Sequence, residues 1–171
     1  MTGIPYELRP YRGAPDDAMI FHSWCKQIRR CRPFCFLEPD AFRGYKAHVL
    51  EPLVAGSTVL VASNPADPDH IHGWACGARV HDCDVLHMVY VREPARGQGK
   101  GSALVGALFP RLGTSPILVS HPTRMLGKIE RRWNLVYAPQ MAHPWPVRSK
   151  EDIACSRSST FYGPAPLAAG T

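Results

Sequence analysis

One glycine-rich segment of the sequence has residue types that could bind a phosphate group. It follows the apolar run at residues 85–91 and contains, in order, Arg96, Gly97, Gln98, Gly99, Lys100, Gly101 and Ser102. Glycines allow several backbone N–H groups to point at one site, and a helix that begins there adds positive potential. Together these two features can bind phosphate or pyrophosphate. We expect Arg96 and Lys100 to add formal positive charge at the rim of this loop.

Two common phosphate-binding motifs do not fit this segment. A Walker A loop would need glycine where Pro94 stands and a hydroxyl residue where Gly101 stands. The dinucleotide fingerprint would need glycine where Ser102 stands, and an acidic residue about 20 positions further on, which the sequence lacks. The segment therefore predicts a phosphate-binding loop of another kind.

The elements that must position this loop are predicted from hydrophobic periodicity and from turn residues. Strands are predicted at residues 6–12, 58–62, 71–80, 85–91, 117–120 and 135–137, and helices at residues 15–32, 39–56, 103–110 and 123–133. The proline- and aspartate-rich stretch at 64–69 predicts a turn. This β-α-α-β-β-β-α-β-α-β order predicts a mixed α/β (α+β) domain over residues 1–138. The proline-rich extension at 139–171 is expected to be partly extended or packed on that domain.

Composition narrows the class of protein. The chain has 171 residues, of which 45% are apolar and 20% charged, as expected for one globular domain. We expect neither a membrane span nor a secretory signal, because no apolar run approaches ~20 residues and the first residues lack the signal pattern. Six cysteines are too few for a disulfide scaffold, so reduced thiols and a cytoplasmic location are expected. His22, Cys25, Cys31 and Cys35 fit no regular zinc spacing, and no metal site is predicted.

Positive charge is concentrated around the glycine-rich segment. Residues 92–132 contain eight lysines and arginines against two glutamates, which equals the net charge of +6 for the whole chain. Such an excess indicates an anionic partner, which could be a nucleotide, other phosphate groups or nucleic acid. A solvated basic face remains the alternative.

The loop and its surroundings resemble those of the GNAT superfamily (Gcn5-related N-acetyltransferases). Residues 96–101 match the pattern Arg/Gln-x-x-Gly-x-Gly/Ala, and the element order from Tyr6 to about Tyr137 is similar as well. The resemblance implies a GNAT-like, mainly antiparallel central sheet flanked by helices. It also implies transfer of an acetyl group from acetyl-CoA, or another acyl-CoA, to an amine by direct attack. The pyrophosphate would lie on the amides of residues 97–102, and the pantetheine arm would pair with the backbone of Val89 and Val91, beside a gap to strand 117–120.

The catalytic side chains match that family less closely. Many members have a glutamate base where this chain has Val85. Two residues are candidates for the base. His87 lies on the same strand face and has an imidazole, which titrates near neutral pH, and Asp84 lies at the start of the strand. A histidine simply packed in the sheet is the alternative for His87. The family's late-helix tyrosine is absent, so Tyr137, Ser120 or water are the candidates for the general acid.

The acceptor is predicted only in outline. Tyr45 and His48 lie three residues apart on one predicted helix face. The resemblance implies that they could border the acceptor pocket, because the first two helices often line it in that family, and ordinary half-buried packing is the alternative. The acceptor would be the amine of a small molecule or of a protein. A GNAT-like enzyme that modifies a nucleic-acid base or RNA, and a non-catalytic acyl-CoA-binding module, are the alternatives.

Overall fold

The computed structural model describes residues 3–32, 34–110, 115–121 and 133–142. Its strands are β1 (Glu7–Pro10), β2 (Thr58–Asn64), β3 (Asp67–Val80), β4 (Cys83–Val91), β5 (Ile117–Val119) and β6 (Leu135–Tyr137). Its α-helices are α1 (Ala14–Ile28), α2 (Pro39–Tyr45), α3 (Glu51–Gly56) and α4 (Lys100–Leu108). A π-helical turn at Lys46–Leu50 connects α2 and α3, and 3-10 turns lie at Phe34–Phe36, Glu93–Ala95 and Pro139–Ala142.

The strands form one sheet in the order β1-β2-β3-β4-β5-β6. Neighbours from β1 to β4 pair antiparallel, whereas β4–β5 and β5–β6 pair parallel. The mixed, mainly antiparallel sheet predicted from the sequence is therefore confirmed. The strand β1 lies at an edge of the sheet, which accommodates Pro10 because proline cannot donate to a ladder.

Helices pack on both faces of the sheet. On one face, α1 contributes Trp24 to a buried cluster that includes Trp74 of β3 and Met88 of β4. On the other face, Val105 of α4 packs with Leu86 of β4 and with side chains of β5 and β6. The faces of β4 thus belong to different clusters, which matters for the site described below.

Several strands and helices begin or end at residues other than those predicted from the sequence. The strand β3 begins at Asp67, so the turn predicted over 64–69 is reduced to the two residues after Asn64. The helix predicted over 39–56 is interrupted by the π-helical turn, because Pro52 has no N–H to donate to the carbonyl four residues earlier. The first helix ends at Ile28, and the chain then tightens through a bond from the Cys31 N–H to the Ile28 carbonyl.

Other predictions fall partly outside the described residues. The helix predicted over 123–133 is described only at Trp133, and the extension only as far as Ala142, so the boundary at 138 stays a prediction.

The five cysteines that are described form no disulfide. Among the described helices, none has the length and apolar character to cross a membrane.

Asp16 connects the edge strand to the first helix. Its side chain is fully buried, and it accepts hydrogen bonds from both terminal nitrogens of Arg9 at 2.7 and 2.9 Å. The backbone N–H of Arg12 donates to the same carboxylate at 2.9 Å. Burial raises the pKa of Asp16, but these hydrogen bonds outweigh burial and hold the pKa below its usual value. The carboxylate is therefore charged and paired in the folded protein.

We expect Asp16→Ala to lower the free energy of unfolding by about 3 kcal/mol, because it leaves the largely buried guanidinium of Arg9 without its counter-ion. Urea unfolding measures this loss. Asp40→Ala removes the exposed ion pair with Arg43 and should cost less than about 1 kcal/mol. Equal losses in the two variants would contradict the role given to Asp16.

Candidate functional site

The strands β4 and β5 pair over a short stretch only, and the unpaired edge of β4 beyond it is called the opening below. The two strands pair from Asp84 opposite Ile117 to Leu86 opposite Val119, and the Ser120 N–H donates to the Leu86 carbonyl at 3.2 Å. The strand β5 ends at Val119, while β4 continues to Val91. Within the described part of the chain, no strand pairs with this side of β4 after Leu86. Pairing therefore ends where the family resemblance implies a gap, and the gap itself stays a prediction because residues 122–132, which follow β5, lie outside the described part of the chain.

A β-bulge at His87 marks the start of the opening. Cys76 of β3 pairs with Met88 and Gly77 pairs with Leu86, so β4 has one residue more than β3 at this point. Regular alternation would place Leu86 and Met88 on the same face, but they belong to clusters on opposite faces. The extra residue therefore reverses the alternation of β4 at the point where the strands part.

The bulge also decides which backbone groups face the opening. The Arg92 N–H donates to the His72 carbonyl at 2.8 Å. In an antiparallel pair every second residue is hydrogen-bonded to the partner strand, so the residues of β4 bonded to β3 are found by counting back from Arg92 in steps of two. Val89 and Val91 are the intervening residues, and their N–H and C=O groups point away from β3 toward the opening. The Arg96 Nε donates to the Val91 carbonyl at 2.9 Å and links the glycine-rich loop to this edge. The two valines stand where the resemblance requires pantetheine-pairing residues, and that role stays a prediction.

The glycine-rich loop ends in the first turn of α4. Gly97 and Gly99 adopt φ values of +73° and +77°, and a Cβ at either position would meet no other atom within 4 Å. Gly99 is the N-cap of α4, so the N–H groups of residues 100–102 in the first turn have no partner within the helix. The loop thus presents an open, glycine-lined set of amides at the positive end of a helix.

Lys100 does not lie at the rim, and that prediction is wrong. Its side chain is 1% exposed, and its Nζ donates to the Ile4 carbonyl at 2.8 Å and to Oε1 of Gln98 at 2.7 Å. The same Gln98 oxygen accepts from the Ile4 N–H, so both side chains hold the N-terminal segment against the loop. Burial lowers the pKa of Lys100. Arg96 is exposed and supplies the formal charge at the rim.

A continuous chain of side-chain hydrogen bonds begins at the bulge. His87 Nδ1 contacts Ser120 Oγ at 2.8 Å, and the same oxygen contacts His121 Nδ1 at 2.8 Å. His121 Nε2 contacts the Tyr45 hydroxyl at 2.7 Å. Three of these side chains are at most 3% exposed, and Tyr45 is half-buried. The chain joins the opening between β4 and β5 to the end of α2.

Aromatic rings surround the central part of this chain. The ring of His121 meets the edge of Trp24 at 5.3 Å and stacks on Phe34 at 6.5 Å between centroids. Burial lowers the pKa of His87 to about 4. Burial, with a smaller contribution from His87, lowers the pKa of His121 to about 3. Both imidazoles are therefore neutral near pH 7.

The outer end of the chain is also neutral near pH 7. Burial raises the pKa of Tyr45 well above its ordinary value, and electrostatic repulsion from Tyr137 raises it further. Tyr137 lies in β6 opposite Val119 and is 47% exposed. It is thus placed near the outer end of the chain rather than at His87.

Two other predicted site residues lie apart from the chain. Asp84 precedes His87 by three residues, about 10 Å along the strand, and pairs with Ile117. His48 is exposed on the π-helical turn, whose wider rotation gives it a direction different from that of Tyr45. The structure therefore brings His87, Ser120 and Tyr45 together and separates them from Asp84 and His48.

Sequence reasoning missed His121. The residue directly follows Ser120 at the end of a strand predicted to border the gap, and this position was the available signal. Its contacts with Tyr45 and Trp24 join segments about 75 to 100 residues apart, which periodicity does not detect.

A cavity lies apart from these residues, between α1 and the segment formed by α2, the π-helical turn and α3. Its volume is about 850 Å³, and it is lined by side chains that include Asp17, His22, Cys25 and Lys46. None of its lining residues belongs to the loop or to the hydrogen-bonded chain. Over the described ranges, no group of three His, Cys, Asp or Glu residues is placed to hold a metal ion.

Comparison with protein families gives one match. Residues 21–114 match the model of the acetyltransferase (GNAT) family. This range includes α1, β2 to β4, the glycine-rich loop and α4. No curated protein sequence matches the chain.

Comparison with solved structures shows the fold. An integron cassette protein from V. cholerae is 15% identical, with a TM-score of 0.50 over 92% of this chain and 100% of that one. A GNAT-family acetyltransferase from Staphylococcus aureus Mu50 is also 15% identical, with a TM-score of 0.40 over 61% of this chain. A GCN5-related N-acetyltransferase from Sphaerobacter thermophilus is 18% identical, with a TM-score of 0.43 over 63% of this chain and 34% of that one. This chain spans 63% of the length of the staphylococcal protein.

The two buried imidazoles predict a dependence of stability on pH. Both are neutral when folded and titrate near 6.5 when unfolded, so the unfolded chain binds more protons below that pH. The free energy of unfolding should therefore fall by about 2 kcal/mol between pH 6 and pH 5. Urea unfolding across pH 5–7.5 measures the slope.

His87→Gln should remove about half of that slope, whereas His22→Gln, at an exposed position of α1, should retain it. A slope that His87→Gln leaves unchanged would contradict the burial argument.

Proposed function

The chain belongs to the acetyltransferase (GNAT) family, and on that premise we propose that it transfers an acetyl group from acetyl-CoA to an amine. The observation that carries this proposal is the opening beside β4, which starts at the His87 bulge and leads toward the glycine-rich loop. The backbone groups of Val89 and Val91 face away from β3, with the Val91 carbonyl accepting from Arg96 Nε, and a helix N-terminus lies at the end of this edge. Such an arrangement suits a long ligand with a phosphate at one end.

The residues present fit acetyl-CoA in their chemistry. The amides of residues 97–102 would hold the pyrophosphate, in a loop where a Cβ at Gly97 or Gly99 would stand in open space. The backbone groups of Val89 and Val91 would pair with the pantetheine arm. When bound, acetyl-CoA supplies a thioester whose carbonyl carbon an amine can attack.

We propose that His87 takes the proton of that amine. Its Nδ1 is bonded to Ser120, so Nε2 is the nitrogen that would accept the proton. The imidazole is neutral near pH 7, as a base must be. A pKa of about 4 makes an isolated imidazole a weak base, and this is the difficulty that the hydrogen-bonded chain addresses below.

We propose the amine of a small molecule or protein as the acceptor, with nucleic acid as the alternative. Of the basic residues in segment 92–132, Arg92, Arg96 and Lys100 are described. Lys100 is buried, and Arg92 Nη2 contacts the Met19 sulfur at 3.3 Å, which leaves Arg96 as the exposed cation of the three. A binding assay with DNA and RNA at low salt tests the nucleic-acid alternative.

Calorimetric titration with acetyl-CoA, with ATP as comparator, tests the proposal first. We expect acetyl-CoA to bind and ATP not to bind, and thiol release to follow when amines and peptides are screened as acceptors. Absence of acetyl-CoA binding would overturn the proposal. Binding without thiol release for any acceptor would favour a non-catalytic acyl-CoA-binding module.

Gly99→Val should weaken acetyl-CoA binding by about tenfold or more, since a β-branched residue strains the positive φ and its side chain enters the loop. Gly106→Val is the matched control. Gly106 lies within α4, the helix that Gly99 caps, a Cβ there would have open space, and the residue is outside the loop. Titration of both variants measures the difference, and thermal unfolding checks that both are folded. Wild-type affinity in Gly99→Val would exclude this loop as the binding site.

A further inference from the structure

The chain His87–Ser120–His121–Tyr45 has a defined direction. Ser120 has one hydroxyl proton and contacts an imidazole nitrogen at 2.8 Å on each side. If neither Nδ1 carried a proton, one of those contacts would join two lone pairs. If both carried one, the buried Ser120 proton would need a third partner. Consistent hydrogen bonding therefore requires the two neutral histidines to carry their protons on different nitrogens.

Two arrangements satisfy this requirement. In the first, His87 Nδ1 donates to Ser120, Ser120 donates to His121 Nδ1, and His121 Nε2 donates to the Tyr45 oxygen. In the second, every bond is reversed, and His87 carries its proton on Nε2. In the first arrangement Nε2 of His87 has a lone pair and can accept a proton, and in the second it carries a proton and can donate. The arrangements differ only in the positions of protons.

We propose that His87, Ser120, His121 and Tyr45 form a proton relay, in which a proton taken up at Nε2 of His87 is matched by a proton released at the hydroxyl of Tyr45. This relay deepens the proposed acetyl transfer and rests on it. His121 and Tyr45 act through His87 and are positioning residues.

The transfer balances atom by atom. An N–H bond of the amine breaks and an Nε2–H bond forms on His87, whose Nδ1 proton passes to Ser120 Oγ. The original Ser120 proton passes to His121 Nδ1, and the His121 Nε2 proton passes to the Tyr45 oxygen. The original Tyr45 proton passes to water. Donation from Nε2 of His87 to the leaving group, with a proton re-entering at Tyr45, restores the first arrangement.

The burial of the chain favours a relay over a single base. Among the described residues, the hydrogen-bond partners of His87 and His121 are Ser120 and Tyr45, neither of which is acidic. An imidazolium at either histidine would be a buried charge beside aromatic rings, and burial disfavours it strongly. In the relay, all four side chains are neutral before and after each proton is transferred along the chain. Its inner end lies at the bulge, and its outer end is a half-buried tyrosine, so it connects the opening with a less buried region.

The first test uses the unloaded full-length protein and needs no acceptor. Long-range ¹H–¹⁵N NMR at pH 7 reports which nitrogen of each histidine is protonated, with His87→Gln and His121→Gln spectra for assignment. We expect opposite tautomers. Tyr45→Phe should change the tautomer population of His87, which it does not touch. In the Ser120→Ala background, Tyr45→Phe should no longer affect His87.

The second test is kinetic. Tyr45→Phe and Ser120→Ala should each lower kcat by about tenfold or more, with KM for acetyl-CoA unchanged. The double variant should be no slower than the slower single variant, because both substitutions cut the same chain. Tyr11→Phe is the matched control, since its hydroxyl donates to Asp17 outside the site, and its kcat should equal that of the wild type.

The outcomes separate the relay from the proposed function. Identical tautomers at the two histidines, or an unchanged kcat in Tyr45→Phe with an active wild type, would overturn the relay and leave acetyl transfer standing. A wild type that binds no acetyl-CoA would overturn the proposed function, and the tautomer measurement would still decide whether the two histidines are coupled through Ser120.

Discussion

The extra residue in β4 is the constraint on which the arrangement of the site depends. Without a bulge at His87, Leu86 and Met88 would share one face of the sheet, and the backbone groups of Val89 and Val91 would point at β3. The bulge reverses both the side-chain alternation and the hydrogen-bonding sides. It does so just where pairing with β5 ends. The edge is unpaired because β5 ends, and the inserted residue decides that Val89 and Val91 are the residues whose backbone groups face it.

The parts of this site that follow from local sequence could be predicted. Alternating apolar residues indicate β4, and glycines before an apolar helix indicate the loop, because each signal depends on neighbouring residues alone. The environment of Lys100 could not be predicted in this way. Its ammonium is held by the Ile4 carbonyl, 96 residues away in sequence, and nothing local distinguishes it from a lysine at the rim.

The same limit applies to the hydrogen-bonded chain. Tyr45, His87 and Ser120 were candidates for three separate roles, and His121 for none. Their link requires that the end of α2 lie over the end of β5, which the packing of Trp24 and Phe34 against His121 provides. The break at the π-helical turn after Tyr45, where Pro52 removes a donor, also follows from a residue several positions away. Sequence gives the donors and acceptors, and tertiary packing decides which of them meet.

Burial explains why one imidazole is insufficient as a base at this place in the fold. The packing that excludes water from His87 also lowers its pKa to about 4, so its conjugate acid is costly to form. Exposing His87 would restore its basicity and would admit water beside a reactive thioester. The proposed relay would resolve the conflict, because a chain of neutral donors and acceptors can move a proton out of the site without creating a charge within it. The conflict between dryness and basicity therefore accounts for a buried serine held between two histidines, an arrangement that packing alone does not require.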